Sequence, residues 1–136
     1  NRKSYRLINL NLKLFVYQEN KSKLTLQNND QVSSISIKVD GCEINDSSIR
    51  CDFMHIAKEI EFFIELKGQD IEHAVNQIIN TINRLSSDIR AKEKRSYIIC
   101  TRSPISSTKI QKYKYHFKKN YNSDFIVKSS PYKDFY

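Results

Sequence analysis

Two strand-like segments separated by only three residues restrict the fold more than any other feature of this sequence. Residues 49–56 and 60–66 are rich in β-branched and aromatic side chains, which is typical of strands. The linker 57–59 is too short for a parallel connection, which needs about a dozen residues. The two strands must therefore form an antiparallel hairpin, and we expect Lys58 and Glu59 at its tip.

That tip position determines which residues of the two strands face each other. It places Asp52 opposite Glu65 and Met54 opposite Phe63. Because side chains alternate between the two faces of a strand, Asp52, Glu65 and Lys67 project to the same face. The tip lacks an Asn-Gly type of sequence, so a one-residue slip of the register stays open as an alternative.

Two facing carboxylates on a sheet repel each other and need a compensating partner. A divalent cation between them would remove the repulsion, and Mg²⁺ characteristically uses one or two carboxylates together with water and phosphate oxygens. Lys67 on the same face would then orient an attacking water or stabilise negative charge during phosphodiester hydrolysis. The plainer alternative is a solvent-facing salt bridge between Glu65 and Lys67. The apolar residues around this pair favour the first interpretation, because burying charges without a role is costly.

The other segments predict a mixed sheet with helices on its faces. Around the hairpin we expect a half-buried strand, an amphipathic helix with Asp70 as its N-cap, a fully buried strand, a basic helix and a short strand, over residues 32–39, 71–85, 97–101, 106–119 and 124–127. The element order is then β-β-β-α-β-α-β, and the fold class is α/β (α+β) with a mixed β-sheet flanked by helices.

The length of 136 residues corresponds to one domain. We predict a single domain over residues 1–136, with an irregular N-terminal segment over 1–31 and the core over 32–127. No apolar run reaches the roughly 18 residues of a membrane span and no leader pattern is visible, so a cytoplasmic protein without membrane contact is the default expectation. Three cysteines without CxxC spacing favour reduced structural thiols over a disulfide framework or a zinc site.

The positive charge of the chain is concentrated in one segment. The net charge is +8, and residues 84–119 contain eleven Lys and Arg residues against two acidic ones, so the remainder of the chain is nearly neutral. A concentrated positive field favours a polyanionic partner over a merely solubilising surface, because phosphate neutralisation releases counterions. We expect nucleic-acid contacts from the basic loop and the basic helix, namely Arg90, Lys92, Lys94, Arg95, Lys109, Lys112, Lys114 and Lys118.

The hairpin resembles the PD-(D/E)xK nuclease superfamily, which includes restriction endonucleases and archaeal Holliday-junction resolvases. The resemblance rests on Arg50-Cys51-Asp52 and Phe63-Ile64-Glu65-Leu66-Lys67-Gly68, followed by the helix and the buried strand, and it covers residues 32–127. It implies a restriction-endonuclease-like fold in which Asp52, Glu65 and the backbone carbonyl of Leu66 bind Mg²⁺ or Mn²⁺ and Lys67 assists the nucleophilic water. Cys51 stands where the family name has proline, at a position that varies widely among such proteins.

RecB-like members of that superfamily carry a glutamine and a tyrosine on the helix after the lysine. Gln77 matches the glutamine, whereas Thr81 stands where the tyrosine would be. Gln77 is therefore expected either to support the metal ligands or to face DNA, with a polar flank of the helix as the plainer alternative. Asp40 could add a third carboxylate, although a turn aspartate before a glycine is favoured. His55 should project away from Asp52, to the face of Cys51 and Phe53.

The sequence predicts a Mg²⁺-dependent endo- or exonuclease that hydrolyses phosphodiester bonds of DNA by a metal-activated water. DNA is favoured over RNA, although no short motif separates the two. The alternatives are a catalytically inactive nucleic-acid-binding or assembly module with the same fold, and a phosphodiesterase-like or RNA-directed enzyme on the same scaffold. A homodimer is a further option, because one small domain covers little of a duplex.

Overall fold

The computed structural model describes residues 6–39, 51–66, 70–101 and 106–136, with side chains described from residue 10 onward. Within these ranges the elements are β1 (Arg6–Leu10), β2 (Leu14–Glu19), β3 (Ser22–Gln27), β4 (Ser34–Lys38), β5 (Phe53–Ala57), β6 (Ile60–Glu65), α1 (Ile71–Leu85), β7 (Lys94–Cys100), α2 (Ser107–Tyr121), β8 (Ser123–Ser129) and β9 (Tyr132–Phe135). The mixed α+β class predicted from the sequence is confirmed, and β4 to β8 follow the expected order.

The main sheet has six strands in the order β1-β4-β5-β6-β7-β8. Its first half is antiparallel, because β5 pairs antiparallel with both β4 and β6, and β1 pairs antiparallel with β4. Its second half is parallel, because helices α1 and α2 carry the chain back between β6, β7 and β8. The sheet therefore changes from antiparallel to parallel pairing at β6.

Helices α1 and α2 cover one face of this sheet. Helix α1 begins after Asp70, whose side chain accepts a hydrogen bond from the His73 N–H at 3.0 Å, as the sequence predicts. The α1 residues Ala74, Ile78 and Ile82 pack onto the helix-facing side of the sheet. We call this layer the helix-side core. Helix α2 contributes Phe117 to the same core, so both helices are fixed to the sheet by apolar contacts.

A second sheet covers the opposite face of the main sheet, with the order β2-β3-β9. Phe15, Tyr17, Leu24 and Leu26 point inward from β2 and β3 and form a separate core cluster with the main sheet. We call this layer the sheet-side core. Strands β6 and β7 lie between the two cores, and residues 97–100 are fully buried, as predicted for a strand covered on both faces.

The N-terminal segment is more regular than the sequence predicts. Residues expected to be irregular form β1, β2 and β3. Strand β3 obtains its second neighbour from β9 at the other end of the chain, where Leu24 pairs with Tyr132. Each strand here has at most six residues, so its alternation is too short to be decisive before the long-range partner is known. In the described part of the chain, no helix is long and apolar enough to cross a membrane.

Candidate active site

The β5–β6 hairpin forms in the predicted register. Met54 pairs with Phe63, and Lys58 and Glu59 form the tip. Both tip residues have positive φ, 51° and 61°, which is the conformation that a two-residue turn between twisted strands requires. The turn therefore forms without the Asn-Gly sequence that usually favours it, and the strands do not slip.

The regular pairing ends one step before the predicted Asp52–Glu65 pair. Phe53 pairs with Ile64, and the backbone N–H of Asp52 also donates to the Ile64 carbonyl, at 3.1 Å. Two residues of one chain segment thus oppose one residue of the other, as in a β-bulge. The bulge interrupts the alternation of side chains. The expectation that Cys51 shares a face with Phe53 is accordingly wrong, since Cys51 lies in the helix-side core and Phe53 packs against the sheet-side core.

Asp52 and Glu65 both lie at the open end of the hairpin. The Oδ2 atom of Asp52 accepts a hydrogen bond of 2.8 Å from the N–H of Leu66, the residue next to Glu65. The two acidic side chains are 2% and 0% exposed. Burial raises the pKa of the Cys51 thiol to about 12, and the nearby negative charges of Glu65 and Asp52 contribute to the rise. Both acidic residues therefore belong to the surroundings of the buried Cys51 thiol.

This acidic pair lies at the carboxyl end of the parallel strands. Glu65 is the last residue of β6, which runs parallel to β7 and β8. The connections from β6 to α1 and from β7 to α2 leave the sheet at the same end. Ligand sites in sheets with parallel strands characteristically form outside this end, because the loops before the helices meet there. The position of the pair is therefore suited to binding a ligand.

The side chain of Thr81 connects helix α1 to the backbone of Cys51, the residue before Asp52. Its buried Oγ1 donates to the carbonyl of Gln77 at 2.7 Å and accepts from the backbone N–H of Cys51 at 2.8 Å. Sequence reasoning treated Thr81 only as a departure from a family pattern and missed this role. A hydroxyl on the apolar stripe of an amphipathic helix is the signal that could have found it, since such a group needs a partner when it is buried.

Gln77 lies one turn before Thr81 and is 7% exposed. It therefore does not fit the alternative of a polar surface flank of the helix. Its backbone carbonyl holds the Thr81 hydroxyl, so this part of α1 is connected to Asp52 through Thr81 and Cys51. Whether Gln77 supports the metal ligands or faces DNA stays a prediction.

Two residues considered for the site are not among those the structure describes. Lys67, the candidate catalytic lysine, and Asp40, the candidate third carboxylate, both lie outside the described residues. The role of the Leu66 carbonyl as a metal ligand likewise stays a prediction, although the Leu66 N–H has a defined partner in Asp52.

The carboxylates of Asp52 and Glu65 are oxygen donors, the ligand type that hard divalent cations take. Among residues 6–39, 51–66, 70–101 and 106–136, no group of three or more His, Cys, Asp or Glu side chains could hold a metal ion. A protein cage of the kind that structural zinc needs is thus absent from this part of the chain. Mg²⁺ needs fewer protein ligands, because one or two carboxylates suffice when water and substrate phosphate supply the rest. Asp52 and Glu65 supply that number of carboxylates.

Lys94 cannot contact nucleic acid in this structure, so its prediction as a phosphate-binding residue is wrong. The residue is 1% exposed, and its Nζ atom lies 2.7–2.9 Å from four backbone carbonyl oxygens, those of Asp88, Ile89, Lys92 and Tyr121. Burial lowers the pKa of its ammonium group. Lys94 instead joins the loop after α1 to the end of α2.

Arg95 is also engaged within the protein. Its guanidinium group donates to the carbonyl of Phe135 at 3.0 Å, forms an ion pair with Asp134 at 3.7 Å and lies 5.1 Å from the ring centroid of Phe62. These contacts lie on the side of the second sheet, away from the helices. Arg95 therefore holds β9 to the main sheet, and the expectation that it belongs to an exposed loop is wrong.

The remaining basic residues of that loop lie far from the acidic pair. Lys92 reaches Glu59 at the tip of the hairpin, with 3.8 Å between Nζ and Oε1, and Arg90 is exposed in the same loop. Asp52 and Glu65 are at the opposite, open end of that hairpin. The four predicted lysines of α2 are exposed on the helix surface, namely Lys109, Lys112, Lys114 and Lys118. The first turn of helix α2 lies at the same end of the sheet as Asp52 and Glu65. Of the two basic segments, α2 and not the loop therefore has exposed positive charge at this end.

His55 is isolated from the acidic pair, as predicted. It is fully buried in the sheet-side layer, where its ring nitrogens contact the hydroxyl groups of Tyr17 and Tyr136 at 2.6 and 2.7 Å. Burial lowers its pKa to about 3. These contacts assign His55 to the packing of the two sheets.

No family model matches this chain, and no curated protein or solved structure is significantly similar to it.

Proposed function

We propose that this protein is a metal-dependent nuclease that hydrolyses phosphodiester bonds, with DNA as the favoured substrate. One observation carries the proposal. Asp52 and Glu65 are almost completely buried at the carboxyl end of the parallel strands, where the Asp52 carboxylate accepts a hydrogen bond from the residue next to Glu65. Keeping two acidic groups there is costly unless they serve a ligand. The resemblance of the hairpin to the PD-(D/E)xK superfamily and its restriction-endonuclease-like fold supports the same conclusion.

In this proposal Asp52, Glu65 and the backbone carbonyl of Leu66 hold Mg²⁺ or Mn²⁺, and Lys67 assists the attacking water. When bound, the cation lowers the pKa of water and offsets the charge on the phosphate. Two contacts within the protein position Asp52, the first of these ligands. The Leu66 N–H orients the carboxylate of Asp52, and Thr81 holds the preceding residue against α1. Such supporting contacts restrict a metal ligand to one geometry.

A second candidate is a catalytically inactive nucleic-acid-binding module. The exposed lysines of α2 favour it independently of the acidic pair, because backbone phosphates alone can supply binding. The two functions differ in one outcome, since only a nuclease changes the length of its substrate.

The deciding experiment incubates labelled single-stranded, duplex and branched DNA and RNA with the wild type, with Glu65→Gln and with Lys67→Ala, in Mg²⁺ or Mn²⁺. Glu59→Gln is the matched control, because it removes an exposed carboxylate from the tip of the same hairpin. We expect metal-dependent cleavage by the wild type and the control, and at least a hundredfold slower cleavage by both site variants. Cleavage that persists in Glu65→Gln would reject the site, and binding without cleavage by the wild type would support the second candidate.

A further inference from the structure

Helix α2 exposes an aromatic ring within a row of lysines. Thr108, Lys112, Tyr115 and Lys119 follow one another at the spacing of three and four that places residues on one helix face. This face is opposite to Phe117, which anchors the helix in the helix-side core. We call it the outer face of α2.

Tyr115 is open to a ligand on this face. It is 68% exposed, which is unusual for a large aromatic side chain. A shallow depression of about 550 Å³ lies beside it, lined by Thr108, Gln111, Lys112 and Tyr115. The Nζ atom of Lys119 lies 5.7 Å from the ring centroid of Tyr115. A flat apolar ring and cationic groups thus share one surface.

The positive charge of the outer face is not neutralised by the described protein. Helix α2 contains five lysines and no acidic residue. Lys109 pairs with Glu72 and Lys118 with Asp124. Among the residues that the structure describes, no carboxylate lies within ion-pair distance of Lys112 or Lys119. These two ammonium groups flank Tyr115 and stay available for phosphate.

From this arrangement we infer that the outer face of α2 binds single-stranded nucleic acid, with an unstacked base on Tyr115 and backbone phosphates at Lys112 and Lys119. In a duplex the bases are stacked on one another and cannot lie on an exposed ring, whereas every single-stranded base offers a π face. Single strands are therefore favoured over duplex.

The direction of α2 connects this face to the acidic pair. Helix α2 starts at the carboxyl end of β7, which is the end where Glu65 terminates the neighbouring β6. The contact between Lys109 and Glu72 holds the first turns of the two helices together at that end. A nucleic-acid strand that lies along the outer face from Lys119 to Thr108 would therefore extend toward Asp52 and Glu65. This step rests on the proposed function, which makes that strand the substrate.

The test is a binding titration with fluorescein-labelled single-stranded DNA, the same sequence as a duplex, and heparin, a polyanion without bases. EDTA is present throughout, so binding is measured without cleavage. We expect Tyr115→Ala to weaken single-strand binding roughly 5- to 100-fold, as the loss of one stacked base does. Tyr115→Phe should bind like the wild type, because it keeps the ring. Phe135→Ala is the matched control, since Phe135 is 61% exposed at a distant strand.

Lys112→Ala and Lys119→Ala should each lower the salt dependence of binding by about one phosphate contact. Unchanged single-strand binding in Tyr115→Ala, tighter binding of the duplex, or an equal loss of heparin binding would overturn the inference. The proposed function fails separately. If Tyr115 binds a base but the wild type cleaves nothing, the proposed function is rejected and the binding face stands. If cleavage depends on Glu65 but Tyr115→Ala binds normally, only the role of the outer face is rejected.

Discussion

A single hydroxyl group couples helix α1 to the acidic pair. Thr81 accepts from the backbone N–H of Cys51, the residue before Asp52, while it donates within its own helix. A buried N–H that loses its acceptor costs roughly 1–3 kcal/mol. Thr81 therefore fixes the backbone of the segment that carries the Asp52 carboxylate.

Replacing Thr81 by valine tests this coupling, because valine keeps the shape and removes the acceptor. We expect Thr81→Val to lower the free energy of unfolding by about 1–3 kcal/mol in urea denaturation. Thr101→Val, at an exposed threonine, should change the stability by less than about 0.5 kcal/mol. Equal stability of the two variants would show that the Cys51 N–H finds another partner.

At the scale of elements, the β5–β6 hairpin was predictable, because two strands joined by a short linker can pair only in the antiparallel direction. The bulge at Asp52 was not predictable, because it depends on how Cys51 is held by α1. The burial of Lys94 was also not predictable from the sequence. Its sequence neighbours suggest a solvated basic loop, whereas its ammonium group is enclosed by carbonyls of that loop and of Tyr121 at the end of α2. Tertiary contacts of this kind leave no local pattern.

The hairpin tip offers a prediction at the same scale. Lys58 and Glu59 both have positive φ, a conformation that costs residues with a Cβ atom roughly 1 kcal/mol each. The double substitution Lys58→Asn with Glu59→Gly should raise the free energy of unfolding by about 1 kcal/mol, measured by chemical denaturation. The ion pairs of the tip with Asp30 and Lys92 are surface contacts worth less than this. A less stable variant would mean that those ion pairs outweigh the backbone gain.

At the scale of the whole molecule, a buried network joins the two sheets. His55 of the main sheet contacts the hydroxyl groups of Tyr17 and Tyr136, which in turn bond to Ser36 and Ser34 at 2.9 and 2.8 Å. The sequence indicated the main sheet and both helices, but not this layer. The strands β2, β3 and β9 are short, and their pairing links the two ends of the chain, so no local window contains the information.

The network predicts how stability depends on pH. The pKa of His55 is about 3 in the folded protein, against 6.5 for an ordinary histidine. As pH falls below about 6.5, His55 becomes protonated in the unfolded chain, whereas in the folded protein it stays neutral until about pH 3. Folding should therefore lose up to about 1.4 kcal/mol per pH unit from this group across that range.

Denaturation at a series of pH values measures this loss. His55→Gln should flatten the dependence, and His73→Gln, at an exposed histidine, should preserve it. An NMR titration of the wild type gives a second check that needs no variant. The His55 ring signals should not titrate above about pH 4, and a midpoint near 6.5 would contradict the buried network.

The proposed function requires that Asp52 and Glu65 bind one divalent cation together. Mn²⁺ titration, followed by the loss of the free-ion EPR signal, tests it most directly. The wild type and Glu59→Gln should bind Mn²⁺ with equal affinity, and Asp52→Asn and Glu65→Gln should each bind it at least tenfold more weakly. Equal Mn²⁺ binding by the wild type and either site variant, or no binding by the wild type, would contradict the claim.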